Sequence, residues 1–141
     1  MKAVVTGATG FLGGHVTKLL AERGDDVRVT YRNPERLKHL DGVKVRRAKA
    51  DVLDYKAMRR AMKGAEVLFH TVGFVGSNPA ELVWRMNAHA PVVAVEAAAA
   101  STATTGACAF IRHTSSAGLE PTKPTVWKST SEPFTARRIA L

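Results

Sequence analysis

The chain has 141 residues, 45% of them hydrophobic, a single cysteine and a formal net charge of +9. This length supports one domain with a hydrophobic core and is too short for two, and one cysteine excludes an internal disulfide. No run of about 18 apolar residues occurs, so no membrane-spanning helix is expected. The first residues show no signal-peptide pattern, which predicts a cytoplasmic location.

The positive charge suits either nucleic acid or a cofactor with several phosphates. The lysines and arginines are spread along the chain, and aromatic residues make up only 6% of it. That distribution offers no stacking platform for single strands, so nucleic acid is disfavoured as a partner. Much of the charge is expected to be solvated surface.

The first elements predict a strand, a glycine-rich loop, a helix and a second strand. The apolar run in Lys2–Thr6 indicates a buried strand, and a loop follows at Gly7–Gly10. Apolar residues recur at helical spacing in Phe11–Arg23, and the β-branched and aromatic run Val27–Tyr31 predicts the second strand.

The middle of the chain continues this alternation. Asn33-Pro34 predicts the start of a short helix, and a third strand is expected at Val43–Ala48. Asp54 can cap a second amphipathic helix that runs to Met62.

A fourth strand is expected at Val67–Phe69, and a long helix from Asn78-Pro79 towards Ala100. Pro91 predicts a kink or break within that helix. A fifth strand is expected at Ala107–His113. Strands that alternate with helices predict an α/β, three-layer fold with a doubly wound parallel sheet of about five strands. We expect this domain to span residues 1–118 and an irregular tail to span 119–141.

The glycine loop after the first strand predicts a dinucleotide site. Gly7 allows a tight turn, Gly10 allows backbone to approach a pyrophosphate, and Gly13 allows the helix to pack closely on the sheet. The free N–H groups at the helix start would face the phosphates. The alternative is a structural turn without a ligand. The predicted contacts in this loop are Gly7, Thr9, Gly10, Phe11, Leu12 and Gly13.

The end of the second strand indicates which nicotinamide cofactor is bound. NAD sites place a carboxylate about 20 residues beyond the glycines to hold the ribose. This chain has Arg32 there, and a guanidinium can pair with a 2′-phosphate. The expected cofactor is therefore NADP, with NAD possible, unless Arg32 is only a surface residue.

Other candidates follow the third, fourth and fifth strands. Asp51 could accept from the adenine amino group, with Val52 packed on the ring, or could cap a local turn. Thr71, Val72 and Gly73 follow the fourth strand, at the sheet edge where such folds bind ligands. The preceding histidine is expected to be a packed, hydrogen-bonded spacer and not a catalytic base. The hydroxyl-rich segment 114–118 would face the nicotinamide or form a simple turn.

Together these residues resemble the extended branch of the short-chain dehydrogenase/reductase superfamily, with its Rossmann-type fold. The likeness is to the dihydroflavonol-reductase-like and NAD-dependent epimerase/dehydratase group, over about residues 1–118. It rests on the Thr6–Gly13 loop, Arg32, Asp51, Asn87 and Thr114–Gly118. It implies an oxidoreductase acting on a small carbonyl or hydroxyl substrate, with Ser116 orienting the substrate oxygen.

The family's downstream Tyr-x-x-x-Lys pair has no counterpart here. The only tyrosines are Tyr31 and Tyr55, both upstream of Ser116, and neither has a lysine four positions on. A phenol with a pKa of about 10 needs a nearby cation to act near neutral pH. The expectation is a truncated or frame-disrupted reductase. The alternative is a non-catalytic, NADP-sensing regulatory protein. A homodimer is left open, and no metal site is predicted.

Overall fold

The computed structural model describes residues 1–76 and 79–101, together with the backbone of two strands at 107–110 and 126–128. The strands are β1 Lys2–Thr6, β2 Asp26–Tyr31, β3 Arg46–Lys49, β4 Val67–His70, β5 Ala107–Phe110 and β6 Val126–Lys128. The helices are α1 Phe11–Glu22, a 3-10 helix Pro34–Leu40, α2 Tyr55–Met62, α3 Ala80–Trp84, a π-helix Arg85–His89 and α4 Ala90–Ala99.

The strands form one sheet in the order β3-β2-β1-β4-β5-β6. The first five run parallel, and β6 pairs antiparallel with β5. From β1 the sheet extends through β2 to β3. The chain then crosses back and places β4 on the other side of β1. This doubly wound order confirms the predicted fold, and it leaves a switch point between β1 and β4 at which such sheets bind ligands.

Helices cover both faces of the sheet because alternate residues of each strand point to opposite faces. On one face, Val4 and Leu68 pack with Met58, Met62 and residues of α4. On the other face, side chains from β1 and β2 pack with α1 and the 3-10 helix; this cluster includes Ala3, Val5, Val27, Val29, Leu20, Leu37 and Leu40. Two apolar clusters on one sheet make the three layers predicted from the sequence.

Two helices start where the sequence predicts, and each has a side-chain cap, predicted at Asp54 and found also at Asn33. Asn33 Oδ1 accepts from the Glu35 N–H at 3.0 Å, and Pro34 opens the 3-10 helix. Asp54 Oδ1 accepts from the Ala57 N–H at 3.0 Å at the start of α2. Each cap satisfies a backbone donor that has no partner inside the helix.

β3 begins later than its sequence predicts, at Arg46 and not at Val43. A turn precedes it, in which Gly42 has a φ of +83° and the Val43 N–H donates to Leu40 O. Val43 and Val45 pack partly buried against the core without joining the ladder. Val43 and Val45 are therefore apolar because they are partly buried, and not because they pair in a strand.

The predicted break in the long helix occurs just before Pro91. α3 passes into the π-helix, in which the Ala90 N–H donates to Arg85 O, five residues back. Proline has no N–H to donate to a carbonyl one turn earlier, and α4 begins at Ala90 with Pro91 in its first turn. The expected disturbance is thus one wide helical turn and not a sharp break.

Strand β6 lies inside the 119–141 segment for which the sequence showed no period. The boundary at residue 118 stays a prediction. Within the described part of the chain, none of the helices combines the length and hydrophobicity of a membrane span.

Candidate functional site

A cleft of about 480 Å³ opens at the carboxyl ends of β1 to β4. Its lining comes from the loops that follow these four strands and from the helical segment after β4. The lining residues are Gly7, Thr9, Gly10, Thr30, Tyr31, Arg32, Arg36, Ala50, Val52, Thr71, Val72, Gly73, Phe74, Leu82 and Met86. The cleft lies beside the switch point between β1 and β4, where ligands bind in open α/β folds.

The glycine loop is a tight turn against β4 and α1. Gly7 has a φ of +78°, and a Cβ there would lie 2.6 Å from Thr71 Oγ1. A Cβ on Gly13 would lie 2.2 Å from Gly7 O, well inside contact distance. Gly13 thus allows α1 to pack closely against the glycine loop itself. The sequence predicted instead that it allows the helix to pack on the sheet.

The start of α1 has donors available for an anion. No side chain among the described residues caps this helix start, which follows Gly10. The Gly10 N–H donates to Gly7 O and the Gly14 N–H to Gly10 O, both at 2.9 Å. The N–H groups of residues 11–13 belong to the first helical turn and have no intrahelical acceptor. The helix dipole adds positive potential at the same place.

Hydrogen bonds between β1 and β4 fix the floor of the cleft. The Thr71 hydroxyl donates to Thr6 O at 2.7 Å, and the Thr71 N–H donates to the same oxygen at 3.2 Å. His70 Nδ1 lies 2.8 Å from Thr6 Oγ1, and its side chain is buried. Burial lowers the pKa of His70 to about 4. The burial and the contact with Thr6 confirm the predicted packed, hydrogen-bonded histidine, and the lowered pKa makes the ring a weak base.

Two arginines border the cleft at the end of β2. Arg32 follows the strand, and Arg36 projects from the 3-10 helix; both are exposed. Arg32 Nη1 lies 3.8 Å from Asp51 Oδ2. Asp51 Oδ1 accepts from the Leu53 N–H at 2.9 Å, which is the turn cap considered as its alternative role. The Arg32–Asp51 pair leaves the guanidinium largely solvated, with donors available to another anion.

Asn87 holds the loop after β4 against the π-helix. Its Oδ1 accepts from the Phe74 N–H at 2.8 Å, and its Nδ2 donates to Phe74 O at 2.9 Å. Both polar groups of one loop residue are thereby satisfied by one amide side chain. The wall of the cleft formed by Gly73 and Phe74 is fixed to the helix.

The structure brings most of the sequence-predicted residues to one cleft. Those that line it are Gly7, Thr9, Gly10, Arg32, Val52, Thr71, Val72 and Gly73. Gly13 supports the loop from behind, Asp51 borders Arg32, and Leu12 is half-buried on α1. Phe11 is 85% exposed and lies against His15. Ser116 lies outside the described residues.

Sequence reasoning missed several lining residues. The most informative is Arg36. It could have been predicted, because it lies about one helical turn after Arg32 on the short helix that Asn33 caps. Phe74, Leu82 and Met86 form an apolar part of the lining. The signal for these was weaker, since Phe74 lies in the loop after β4 and apolar residues in a helix, such as Leu82 and Met86, are equally typical of a core.

This fold and cleft define a dinucleotide-binding protein of the Rossmann type. Residues 7–134 match a family model described as NAD(P)H-binding. The chain belongs to this NAD(P)H-binding family, within the extended short-chain dehydrogenase/reductase superfamily.

Two relatives are named as reductases. Cinnamoyl-CoA reductase 1 of Petunia hybrida is 42% identical over 86 residues, covering 56% of this chain and 26% of the relative. Ceramide reductase of Caulobacter vibrioides is 35% identical over 117 residues, covering 83% of this chain and 35% of the relative. The structure of a uronate dehydrogenase from Agrobacterium tumefaciens, in complex with NAD, has a TM-score of 0.59 and 27% identity over 70% of this chain and 36% of that one. The match therefore spans about a quarter to a third of each relative.

Proposed function

We propose that this chain is the NADP-binding part of a short-chain dehydrogenase/reductase-type oxidoreductase that acts on a small carbonyl or hydroxyl substrate. One observation carries the proposal: the glycine loop and two arginines line the same cleft at the switch point of the sheet. NAD remains a second, weaker ligand.

The pyrophosphate is assigned to the glycine loop. Gly10 lines the cleft, and a Cβ there would make a tight contact of 3.3 Å with Gly7 O, so the absence of a side chain leaves this part of the loop clear for a ligand. Thr9 also lines the cleft, and the first turn of α1 supplies backbone donors and positive potential. Phe11 and Leu12 would act through their backbone N–H groups.

The adenosine end is assigned to the loops after β2 and β3. Arg32 would pair with the 2′-phosphate, and Arg36 on the same rim adds a second cation. Val52 would pack on the adenine, and Asp51 would accept from its amino group. A second guanidinium supports NADP over NAD more strongly than Arg32 alone.

The nicotinamide end is assigned to the loop after β4. Thr71, Val72 and Gly73 line the cleft there, and the bonds of Thr71 to Thr6 and of Asn87 to Phe74 keep that wall in place. When bound, NADPH would supply a hydride. Ser116 would orient the oxygen of the substrate carbonyl, and the carbon of that carbonyl would receive the hydride.

Turnover also needs a proton donor. Neither Tyr31 nor Tyr55 has a lysine four positions on, so these 141 residues contain no Tyr-x-x-x-Lys pair. This favours cofactor binding without hydride transfer by the chain alone. The same observation supports the second candidate, an NADP-sensing regulatory protein that binds the cofactor and does not turn it over.

Two measurements on the same protein test the proposal. Titration of NADPH and NADH followed by nicotinamide fluorescence should show saturable binding of both, with NADPH bound more tightly. An assay of NADPH oxidation with a panel of aldehydes and ketones should show no carbonyl-dependent rate. A carbonyl-dependent rate would contradict both the binding-only assignment and the sensor alternative. Binding of neither cofactor would contradict the proposal as a whole.

The remaining assignments follow from composition. One cysteine supports a cytoplasmic location, and the dispersed charge supports a small-molecule partner over nucleic acid. A homodimer stays a prediction that sedimentation equilibrium would check.

A further inference from the structure

His39 connects the segment after β2 to the glycine loop. It lies on the 3-10 helix, between Leu37 and Leu40, which are both buried in the core and hold the helix in place. His39 Nε2 lies 2.9 Å from Ala8 O. Because a carbonyl oxygen can only accept, the imidazole must carry its proton on Nε2 and donate it to Ala8.

Gly14 provides the space for this imidazole. A Cβ built on Gly14 would lie 2.8 Å from His39 Nε2 and 3.2 Å from its Cδ2. Gly14 has a helical backbone and needs no positive φ, yet glycine inside a helix is less favourable than alanine by about 0.5–1 kcal/mol. The contact with His39 explains why a small residue stands at this position of α1.

The hydrogen bond fixes one peptide of the glycine loop. Ala8 O and the Thr9 N–H belong to the same planar trans peptide and point in opposite directions. Holding Ala8 O towards His39 therefore directs the Thr9 N–H to the other side of the loop, and Thr9 lines the cleft.

We propose that His39, seated against Gly14, is a positioning residue that holds the glycine loop ready for the pyrophosphate. The inference rests on the proposed function, because it assigns a role towards the cofactor of that same site. The pyrophosphate is common to NADP and NAD. Loss of the contact should therefore weaken both cofactors by the same factor, unlike loss of an arginine that pairs with the 2′-phosphate.

Four variants of the full chain test this, with Kd for NADP and NAD measured by calorimetry and folding checked by thermal melting. His39→Ala should weaken both cofactors about 3- to 10-fold, the range of one neutral hydrogen bond. Gly14→Ala should do the same without lowering the melting temperature, since its methyl displaces the ring while alanine favours the helix. His39→Gln, whose amide N–H can reach Ala8 O, should restore most of the affinity. His89→Ala, an exposed histidine on the π-helix, is the matched control and should bind like wild type.

The double variant His39→Ala/Gly14→Ala decides whether the two residues act together. If they form one contact, the double variant should bind no more weakly than either single variant. Additive losses, a loss confined to NADP, or full affinity in His39→Ala would each overturn the inference while leaving the proposed function intact. Failure of the wild-type chain to bind either cofactor would instead overturn the proposed function, and this inference with it.

Discussion

Arg32, which lines the cleft, and Asp51, which follows β3, form an ion pair, with Arg32 Nη1 3.8 Å from Asp51 Oδ2. The Arg32 side chain is 65% exposed and the Asp51 side chain 42% exposed, so solvent screens the pair and it contributes only about 0–1 kcal/mol to stability. Under the proposed function, a 2′-phosphate arriving beside Arg32 would meet the attraction of the guanidinium and the repulsion of the carboxylate together. The pair then sets how strongly the cleft prefers NADP to NAD.

Asp51→Asn should raise the ratio of NADP affinity to NAD affinity about 2- to 5-fold, because it removes one exposed like charge near the 2′-phosphate. The asparagine oxygen can still accept from the Leu53 N–H, so the turn should persist. Isothermal titration with both cofactors gives the ratio. Asp41→Asn breaks a comparable pair with Arg47 outside the cleft and should leave the ratio unchanged. A lower ratio in Asp51→Asn would show that the carboxylate does not oppose the 2′-phosphate.

Arg32→Asp should weaken NADP about 10- to 100-fold, the range for loss of hydrogen bonds to a charged group. NAD has no 2′-phosphate, so its affinity should change far less. Competition between the two cofactors for the variant can be followed by fluorescence. Arg60→Asp makes the same charge change in the last turn of α2, outside the cleft lining. Equal losses of NADP and NAD in Arg32→Asp would remove the assignment to the 2′-phosphate.

The sequence predicted the fold well where local signals and burial agree. Four features have a physical cause within a few residues of the chain: the apolar run of β1, the helix start at Asn33-Pro34, the Asp54 cap and the disturbance before Pro91. The predicted start of β3 was too early because Val43 and Val45 are apolar for packing against the core. The start of the strand is set by its hydrogen bonds to β2, which a local apolar pattern does not reveal.

The site was harder to predict because its contacts join distant parts of the chain. The glycine loop was evident from its spacing after β1. The approach of Gly13 to Gly7 and the contact of His39 with Ala8 depend on how α1 and the 3-10 helix pack. Arg36 was missed for the same reason: its place on the rim follows from the direction of the 3-10 helix, which no local pattern gives.

Gly13 and Gly10 should respond differently to an added methyl group. Gly13→Ala places a Cβ 2.2 Å from Gly7 O, so the backbone must shift, and we expect the free energy of unfolding to fall by about 1–3 kcal/mol. Gly10→Ala meets its nearest backbone atom at 3.3 Å and should lower stability less, while weakening both cofactors by obstructing the pyrophosphate. Urea unfolding and cofactor titration separate the two effects. Undiminished cofactor affinity in Gly10→Ala would contradict the assigned path of the pyrophosphate.

His70 should make stability depend on pH. Its pKa is about 4 in the folded chain and 6.5 for an ordinary histidine. The unfolded chain thus binds the extra proton between these values, and stability present above pH 6.5 is lost as the pH falls. The free energy of unfolding should drop by up to about 3 kcal/mol across this window.

Urea unfolding at a series of pH values between 7 and 4 measures this loss. His70→Asn removes the titrating ring, keeps a polar group near Thr6, and should flatten the dependence. His89→Gln changes an exposed histidine and should keep the wild-type slope. A His70→Asn variant with an unchanged slope would assign the pH dependence to other groups.

The decisive experiment is calorimetric titration of the folded 141-residue chain with NADP and, in parallel, with NAD. We expect one binding site per chain for each cofactor, with NADP bound at least about tenfold more tightly, as expected for an added charge-assisted contact. No heat of binding with either cofactor, on protein shown by circular dichroism to be folded, would contradict the assignment of this cleft to a dinucleotide.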